Sequence, residues 1–447
     1  MNSMKDIAKR ILDLMFGGDA EGRMREERVK FFLRWDFMGW LGRIGLAFFG
    51  ARTNREGWED RLLIIGPGGI GDVIMATPAL RMYRKGFPSK RISLLVTEHG
   101  GMKKEMFAGL VDEVFVVDGE RFQTSAAYKV RIINRLRRIG FATVINQAMG
   151  AKDITSKVIA TSLRAERAFG YEGPGVEIVN PGTEPFLRFA QRHVNDRYTA
   201  HIPSIDKGAV AAGGRPSSAI RHNLAIAGAV IGMDAPADVA TVFSVSAEAA
   251  RSADALLGAE GAAPGRYVVV VPSCADPGRR WEMGKFATVA RHAAQRGYAI
   301  VVIGTPAQRI YSDMFRARFG EDFIDMAGRM DLLGAAAAIK GAHCIVTNDT
   351  GPVHIAVALG TPSLCIPTGG HLGMNSLYGR EAINRWIYKD VGCRYDDARC
   401  AMTVPPGEPA PCIHAVSADD VVREFDDMEG YLKDHAAGNE PFLAEYE

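Results

Sequence analysis

The hydrophobic pattern changes character near residue 61. Before residue 58 the chain has two apolar stretches, separated by Gly17-Gly18-Asp19, that predict a helical extension. From Arg61 short continuous apolar runs alternate with amphipathic segments. "RLLIIGPG" (61–68) reads as a buried strand, "GDVIMATPALRMYRKGF" (71–87) as one helix ended at Phe87-Pro88, and "RISLLVTE" (91–98) as a second strand. "VDEVFVVD" (111–118) and "FATVINQ" (141–147) predict further strands, with the basic helix "YKVRIINRLRRIG" (128–140) between them. Strands that are apolar throughout, each followed by a helix, call for a parallel sheet covered on both faces.

Residues 205–264 are rich in Ala, Gly, Ser and Pro, with one clear helix in "SAIRHNLAIAGAVIGMD" (218–234), and read as a crossing between domains. A second alternating series follows. Its strands are "YVVVVP" (267–272), "YAIVVIG" (298–304), "HCIVTND" (343–349) and "TPSLCIP" (361–367). Its helices are "WEMGKFATVARHAAQRG" (281–297), "AQRIYSDMFRARFG" (307–320) and "GPVHIAVALG" (351–360), with "FIDMAGRMDLLGAAAAIKGA" (323–342) between the last two. A final helix, "SADDVVREFDDMEGYLKDH" (417–435), opens on Ser417 as N-cap with acidic residues in its first turn. The expected architecture is α/β: two doubly wound, Rossmann-like halves facing a central cleft. The expected boundaries are 1–58 for the helical extension, 59–240 and 241–416 for the two domains, and 417–447 for the closing helix and tail.

Composition narrows the function. A chain of 447 residues holds full cores in two or three domains, and 54 basic against 52 acidic residues leave no global field for nucleic acid. All six cysteines lie after residue 270 with no secretory signal before them, so a cytoplasmic location is expected. No window reaches the ~18 uncharged apolar residues of a membrane span. Residues 23–55 carry eight basic and three acidic side chains among aromatics such as Phe31, Trp35 and Trp40. Such a segment suits an anionic inner-membrane surface, or a helical arm packed on its own domain or on a second copy.

Candidate chemistry starts at Gly66-x-Gly68-x-x-Gly71, a dinucleotide fingerprint between a strand and a helix, with Glu98 at the end of the next strand. Asp72 argues against that reading, because its carboxylate would face the pyrophosphate that the helix N-terminus should bind. A carboxylate held ionised by a helix start, beside Gly68, Gly69 and Gly71, equally suits a general base or a plain helix cap. All three readings stay open on this stretch alone. In the second half, Asp349, Thr350 and Gly351 close a strand and open a helix, with Pro352 at its first turn and His354 close behind. That cluster is the pattern of a phosphate site.

With these blocks the chain resembles glycosyltransferase family 9, the bacterial heptosyltransferases of the GT-B fold. "GGIGDVIMATPALRMYRKGFP" and "NDTGPVHIAVALGTP" carry the resemblance, supported by "VVPSCADPGRRWEMGKFATVA", "AIVVIGTPAQR" and "DMAGRMDLLGAAAAIKGAHCIVTND". It implies a nucleotide-sugar donor, typically ADP-heptose, a glycolipid or glycan acceptor, and inverting transfer with no dissociable metal. Asp72 matches the family's base. Arg279 or Arg280 falls where the family has a phosphate-binding Lys, and Ser273, Thr350, Gly351 and His354, with Asp349, complete the phosphate site. Met330 matches the nucleobase lining. Gln308 stands where many members carry a Glu on the donor, and the basic residue that commonly precedes the catalytic loop is absent, so the donor is open between ADP-, UDP- and GDP-sugars. A protein acceptor, an NAD(P)-linked oxidoreductase and a catalytically silent subunit are the alternatives.

Cys393, Cys400 and Cys412 with His414 follow as C-x6-C-x11-C-x-H. Three thiols and an imidazole suit a structural Zn or Fe, but the spacing is not that of common zinc modules, and free cysteines are the alternative. Some protein-modifying members of the family carry a cysteine-ligated iron in a comparable position. Cys274, Cys344 and Cys365 read as packing residues in or beside strands.

Overall fold

The computed structural model describes residues 45–46, 48–97, 101–148, 154–171, 198–202, 219–236, 240–370, 372, 378–392 and 408–436. Most of the N-terminal extension, Glu98, Cys393 and Cys400 lie outside these residues. The chain forms two compact units. One takes the chain up to Pro67 with Ser89–Gly100 and Phe115–Ser204; the other takes Gly68–Pro88, Gly101–Val114 and the chain from Ile205.

Each unit is built on a six-stranded sheet. The first has the order β3-β2-β1-β4-β5-β6, from β1 (Arg61–Ile65), β2 (Arg91–Val96), β3 (Glu113–Val116), β4 (Thr143–Asn146), β5 (Arg167–Tyr171) and β6 (Ala200–Ile202). The second has the order β12-β11-β10-β7-β8-β9, from β7 (Tyr267–Val271), β8 (Ala299–Val302), β9 (Ile324–Asp325), β10 (Cys344–Asn348), β11 (Ser363–Ile366) and β12 (Asn384–Trp386). Central strands pair in parallel, Leu63 opposite both Ser93 and Val144, and Val269 opposite both Ile345 and Val301. Both sheets therefore have the order 3-2-1-4-5-6 of the doubly wound Rossmann fold. The central strands β4, β7, β10 and β11 are buried along their full length, as strands covered on both faces are.

The helices of these crossovers are α1 (Ile70–Met75), α2 (Thr77–Gly86), α3 (Gly119–Thr124), α4 (Ala126–Ile139), α5 (Ile154–Ser162), α6 (Ala219–Ile231) and α7 (Ala247–Ala259). The second sheet adds α8 (Met283–Gln295), α9 (Arg309–Phe319), α10 (Leu332–Lys340), α11 (Gly351–Leu359), α12 (Pro411–Ala415) and α13 (Ala418–Ala436). The single helix expected over 71–87 is two. Pro78 has no N–H to give to the carbonyl of Ile74, and the Thr77 hydroxyl takes that carbonyl instead at 2.6 Å. The same hydroxyl accepts the N–H of Val242 at 2.8 Å, so the break ties the loop before α7 to the helix pair. The close of the chain follows the expected cap: Ser417 Oγ accepts the N–H of Asp420 at 3.1 Å, and Asp420 reciprocates on the Ser417 N–H at 3.0 Å.

Each unit has its own core. Leu63, Ile65, Phe115, Phe141 and Val144 pack together in the first. In the second, Val268, Val270, Trp281, Phe286, Phe315, Val346 and Phe425 form a core that α13 closes. Trp281 meets Phe286 edge to face, with centroids 4.9 Å apart, and its indole N–H donates to the carbonyl of Val416 at 2.9 Å.

Candidate active site

Ligands of doubly wound sheets bind beyond the carboxyl ends of the strands, where the strand order reverses. In the second sheet that point lies between β7 and β10, and the segments leaving these two strands carry Ser273 and Asp349–Thr350–Gly351. Asn348 joins the two segments. Its side-chain oxygen accepts the N–H of Trp281 at 2.8 Å, and its amide donates to the carbonyl of Ser273 at 3.4 Å. The Ser273 hydroxyl is buried and makes no hydrogen bond among the described residues. A buried orphan hydroxyl at the switch point is a donor waiting for an acceptor.

The loop between them offers two arginines, and the geometry separates them. Arg280 donates to the carbonyl of Cys274 at 3.0 Å and lies over the Tyr311 ring at 4.7 Å, so its guanidinium is committed to the protein. Arg279 approaches Asp276 at 3.8 Å. Its charge reaches the Cys274 and Cys365 thiols, both of which burial pushes above the ordinary range. Of the two, Arg279 is the one whose charge reaches both thiols.

Asp349 is buried and Thr350 is the N-cap of α11, donating its hydroxyl to the carbonyl of Asn348 at 3.3 Å. No side chain caps the first N–H groups of α11, and Pro352 occupies its opening turn. These exposed dipoles make an anion-binding end. His354, one turn in, is buried with Nε2 3.7 Å from Asp349 Oδ1 and Nδ1 2.5 Å from the Tyr378 hydroxyl. Tyr378 was invisible in the sequence motifs, because it returns from a distant loop.

The same unit contains the glycine loop. Gly69 is the N-cap of α1, Gly68 before it is half-buried, and Asp72 stands half-buried in the first turn of α1. A Cβ on Gly69 would lie 2.7 Å from Asp72 Oδ2, so the carboxylate turns back over the helix start. A Cβ on Gly71 would lie 2.3 Å from His354 Cδ2 and 2.9 Å from its Nε2. On Gly351 a Cβ would sit 3.5 Å from the Ile70 Cβ. The third glycine of the fingerprint is thus glycine because an imidazole from α11 packs against it. Asp72, Gly71, His354, Asp349 and Thr350 are brought together; the two helix starts offer a carboxylate and a set of N–H donors side by side.

Gln308 and Met330 lie beyond β8 and β9. Gln308 Oε1 accepts the N–H of Thr305 at 2.9 Å, which makes it a brace of its own turn. Gly328 donates to the carbonyl of Gly304 at 2.8 Å, which draws the Met330 segment against that turn. Of the four tail candidates only Cys412 and His414 lie among the described residues, and those two do not converge. Cys412 is fully buried in the core and accepts the Gly369 N–H at 3.4 Å, whereas His414 is exposed and pairs with Glu282 at 2.6 Å. Two positions apart on α12, they point to different surroundings and do not fit a shared tetrahedral metal centre. Cys274, Cys344 and Cys365 are buried free thiols, as expected of packing residues.

Residues 205–371 match the model of glycosyltransferase family 9 (heptosyltransferase). The matched stretch holds Ser273, Arg279 and the Asp349–His354 block, all within the second unit. Lipooligosaccharide heptosyltransferase 2 of Haemophilus ducreyi is 33% identical over 90 residues, 19% of this chain and 26% of that relative. The chain thus spans about a quarter of the length of the curated relatives that it matches. A glycosyl transferase family 9 structure from Veillonella parvula aligns over 84% of this chain and 98% of its own, with a TM-score of 0.63 at 17% identity. The E. coli ADP-heptose lps heptosyltransferase II aligns over 84% and 99%, with a TM-score of 0.60 and 17% identity. The fold of the chain is GT-B.

Proposed function

We propose that the protein is an inverting glycosyltransferase that moves a heptose from ADP-heptose to a lipopolysaccharide core or related surface glycan, with Asp72 as general base. The observation that carries this reading is the packing of His354 against Gly71, which sets the Asp72 carboxylate beside the anion-binding start of α11. The acceptor hydroxyl gives its proton to Asp72 as its oxygen attacks the anomeric carbon. The bond from that carbon to the diphosphate breaks on the opposite face, and the electron pair leaves with ADP. The N–H groups at the start of α11, Thr350, the orphan hydroxyl of Ser273 and the guanidinium of Arg279 stabilise the departing charge without calling on a metal. The heptosyltransferase relatives favour the sugar and the acceptor class. The turn of Asp72 over Gly69 disfavours the oxidoreductase alternative, since a pyrophosphate on α1 would meet that carboxylate.

With ADP-heptose and a truncated lipopolysaccharide, the enzyme releases ADP and extends the acceptor. Asp72→Asn retains donor binding, seen as ADP-heptose-dependent thermal stabilisation, and loses turnover by at least about a hundredfold, the low end of a general base's contribution. Near-normal turnover removes Asp72 from this role. A nucleotide panel read by thermal shift separates ADP from UDP and GDP donors, the true leaving nucleotide stabilising most.

A membrane glycolipid acceptor places the protein at the cytoplasmic membrane face, and the first unit offers a surface for it. Phe48 and Phe49 are 79% and 77% exposed. Asn134 of α4 holds their backbone, donating to the Phe49 carbonyl at 2.8 Å and accepting the Ala51 N–H at 2.7 Å. One residue further round that helix runs the exposed row Arg131, Arg135, Arg138, and α4 has no acidic residue. Aromatic side chains beside an arginine row match an anionic bilayer surface. Among the described residues no helix is long and apolar enough to cross a membrane.

A further inference from the structure

The geometry points to Tyr378 as the residue that positions His354, holding the imidazole with Nε2 turned to Asp349 and the Gly71 backbone. The phenol oxygen is 2.5 Å from Nδ1, and the two rings lie within 6° of parallel. Both residues are buried, at 7% and 4% exposure, so solvent offers little competition for this bond. Burial, followed by the charges of Asp349, Cys365 and Asp72, raises the phenol well above its ordinary range, so the hydroxyl stays protonated and can donate. A neutral imidazole that accepts at Nδ1 carries its proton on Nε2. That N–H then faces the Asp349 carboxylate, 3.7 Å away, at the start of α11. A flipped ring would put carbon against the Tyr378 hydroxyl and strand it in a buried site.

The seat of Tyr378 is built to the same end. Gly379 follows it with φ of +88°, and a Cβ there would meet Val357 Cγ1 at 2.7 Å and Asn384 Nδ2 at 3.1 Å. Val357 lies on α11 three residues beyond His354, so the loop is fastened to the helix whose histidine it holds. Asn384 is fixed in turn, its side-chain oxygen accepting the Ser363 hydroxyl at 2.9 Å. The two aromatic planes are thus registered through one helix. In the proposed transfer, on which only the kinetic part of this inference rests, Tyr378 touches no substrate. It acts by presenting His354 Nε2–H between the base loop and the departing diphosphate.

The test reads the tautomer directly. In the full-length protein with 15N-labelled histidine, long-range 1H–15N correlations assign His354 by its loss in His354→Gln. The wild-type spectrum is expected to show Nδ1 unprotonated and Nε2 protonated, and Tyr378→Phe to give a tautomer mixture with unchanged circular dichroism. Kinetically, Tyr378→Phe lowers kcat on the order of tenfold with donor KM nearly unchanged, as misorientation without lost contacts predicts. A wild-type His354 protonated at Nδ1, alone or together with Nε2, overturns the assignment. So does a folded Tyr378→Phe with an unaltered tautomer. The spectra stand whether or not heptose is transferred, so a failure of the reaction and a failure of the positioning role are told apart.

Discussion

At the residue scale, a glycine means different things at different places. Gly71→Ala would drive a methyl to 2.3 Å from His354 Cδ2 in a buried site, so the imidazole or α1 must move. Overpacking of this kind costs about 1–3 kcal/mol, read as a fall in denaturation midpoint, and activity falls with it. Gly258→Ala is the contrast. It lies within α7 with nothing in reach of the added carbon, and gains up to about 1 kcal/mol of helix propensity. A Gly71→Ala protein as stable and active as wild type would show that His354 is free to yield. Asp72 was legible in the sequence because a carboxylate breaks a phosphate-binding pattern. The reason for Gly71 was not, since it comes from an imidazole 283 positions later in the chain. Tyr378 was equally hidden: nothing local marks a tyrosine that bonds back to a helix one crossover earlier. Arg279 and Arg280 looked equivalent, and the ring of Tyr311 and the carbonyl of Cys274, both taken by Arg280, tell them apart.

Among elements, those that the sequence revealed are the ones whose burial is continuous. The runs around β1, β2, β7 and β10 are apolar because helices cover both faces. The strands that escaped notice include β6 and β12, three-residue strands at sheet edges with mixed side chains, which lack that signature. α7 escaped too; only Ala253 and Leu257 of its residues are buried, and its alanines read as linker. α4 was recognised as a basic helix, and its exposed arginines carry a prediction at this scale. Each arginine near an anionic surface is worth about 1 kcal/mol, so Arg131→Gln, Arg135→Gln and Arg138→Gln together weaken vesicle partitioning on the order of a hundredfold. Sedimentation with phosphatidylglycerol-containing vesicles measures this, with neutral phosphatidylcholine vesicles as the contrast. Equal binding to both compositions, or no loss in the triple variant, would remove the arginine row from the docking surface.

Over the whole molecule, both sheets repeat one strand order, and the switch point of the second is furnished with an orphan hydroxyl, an arginine and an open helix start. The second unit also carries two groups whose titration bears on acid stability. Burial holds His343 below the ordinary histidine value of 6.5, against the opposing pull of Glu429. The folded state therefore binds its proton less readily than the unfolded chain. The stability this represents is present above pH 6.5 and is lost as the pH falls from there through the lowered value. Asp420 acts in a lower window. Burial alone would raise its carboxyl, but hydrogen bonds from Lys389 and Ser417 overcome that and bring it from 3.8 to about 2. Its contribution is complete above about pH 4 and disappears as the pH falls towards 2. Because Lys389 follows β12 and Asp420 opens α13, this loss unfastens the closing helix from the sheet edge. A plot of Tm against pH is expected to fall in two acid steps. Asp420→Asn lowers Tm at pH 7 and flattens the lower step, while His343→Gln leaves that step intact and flattens the upper one. An upper step that survives His343→Gln unchanged would place the responsible group elsewhere.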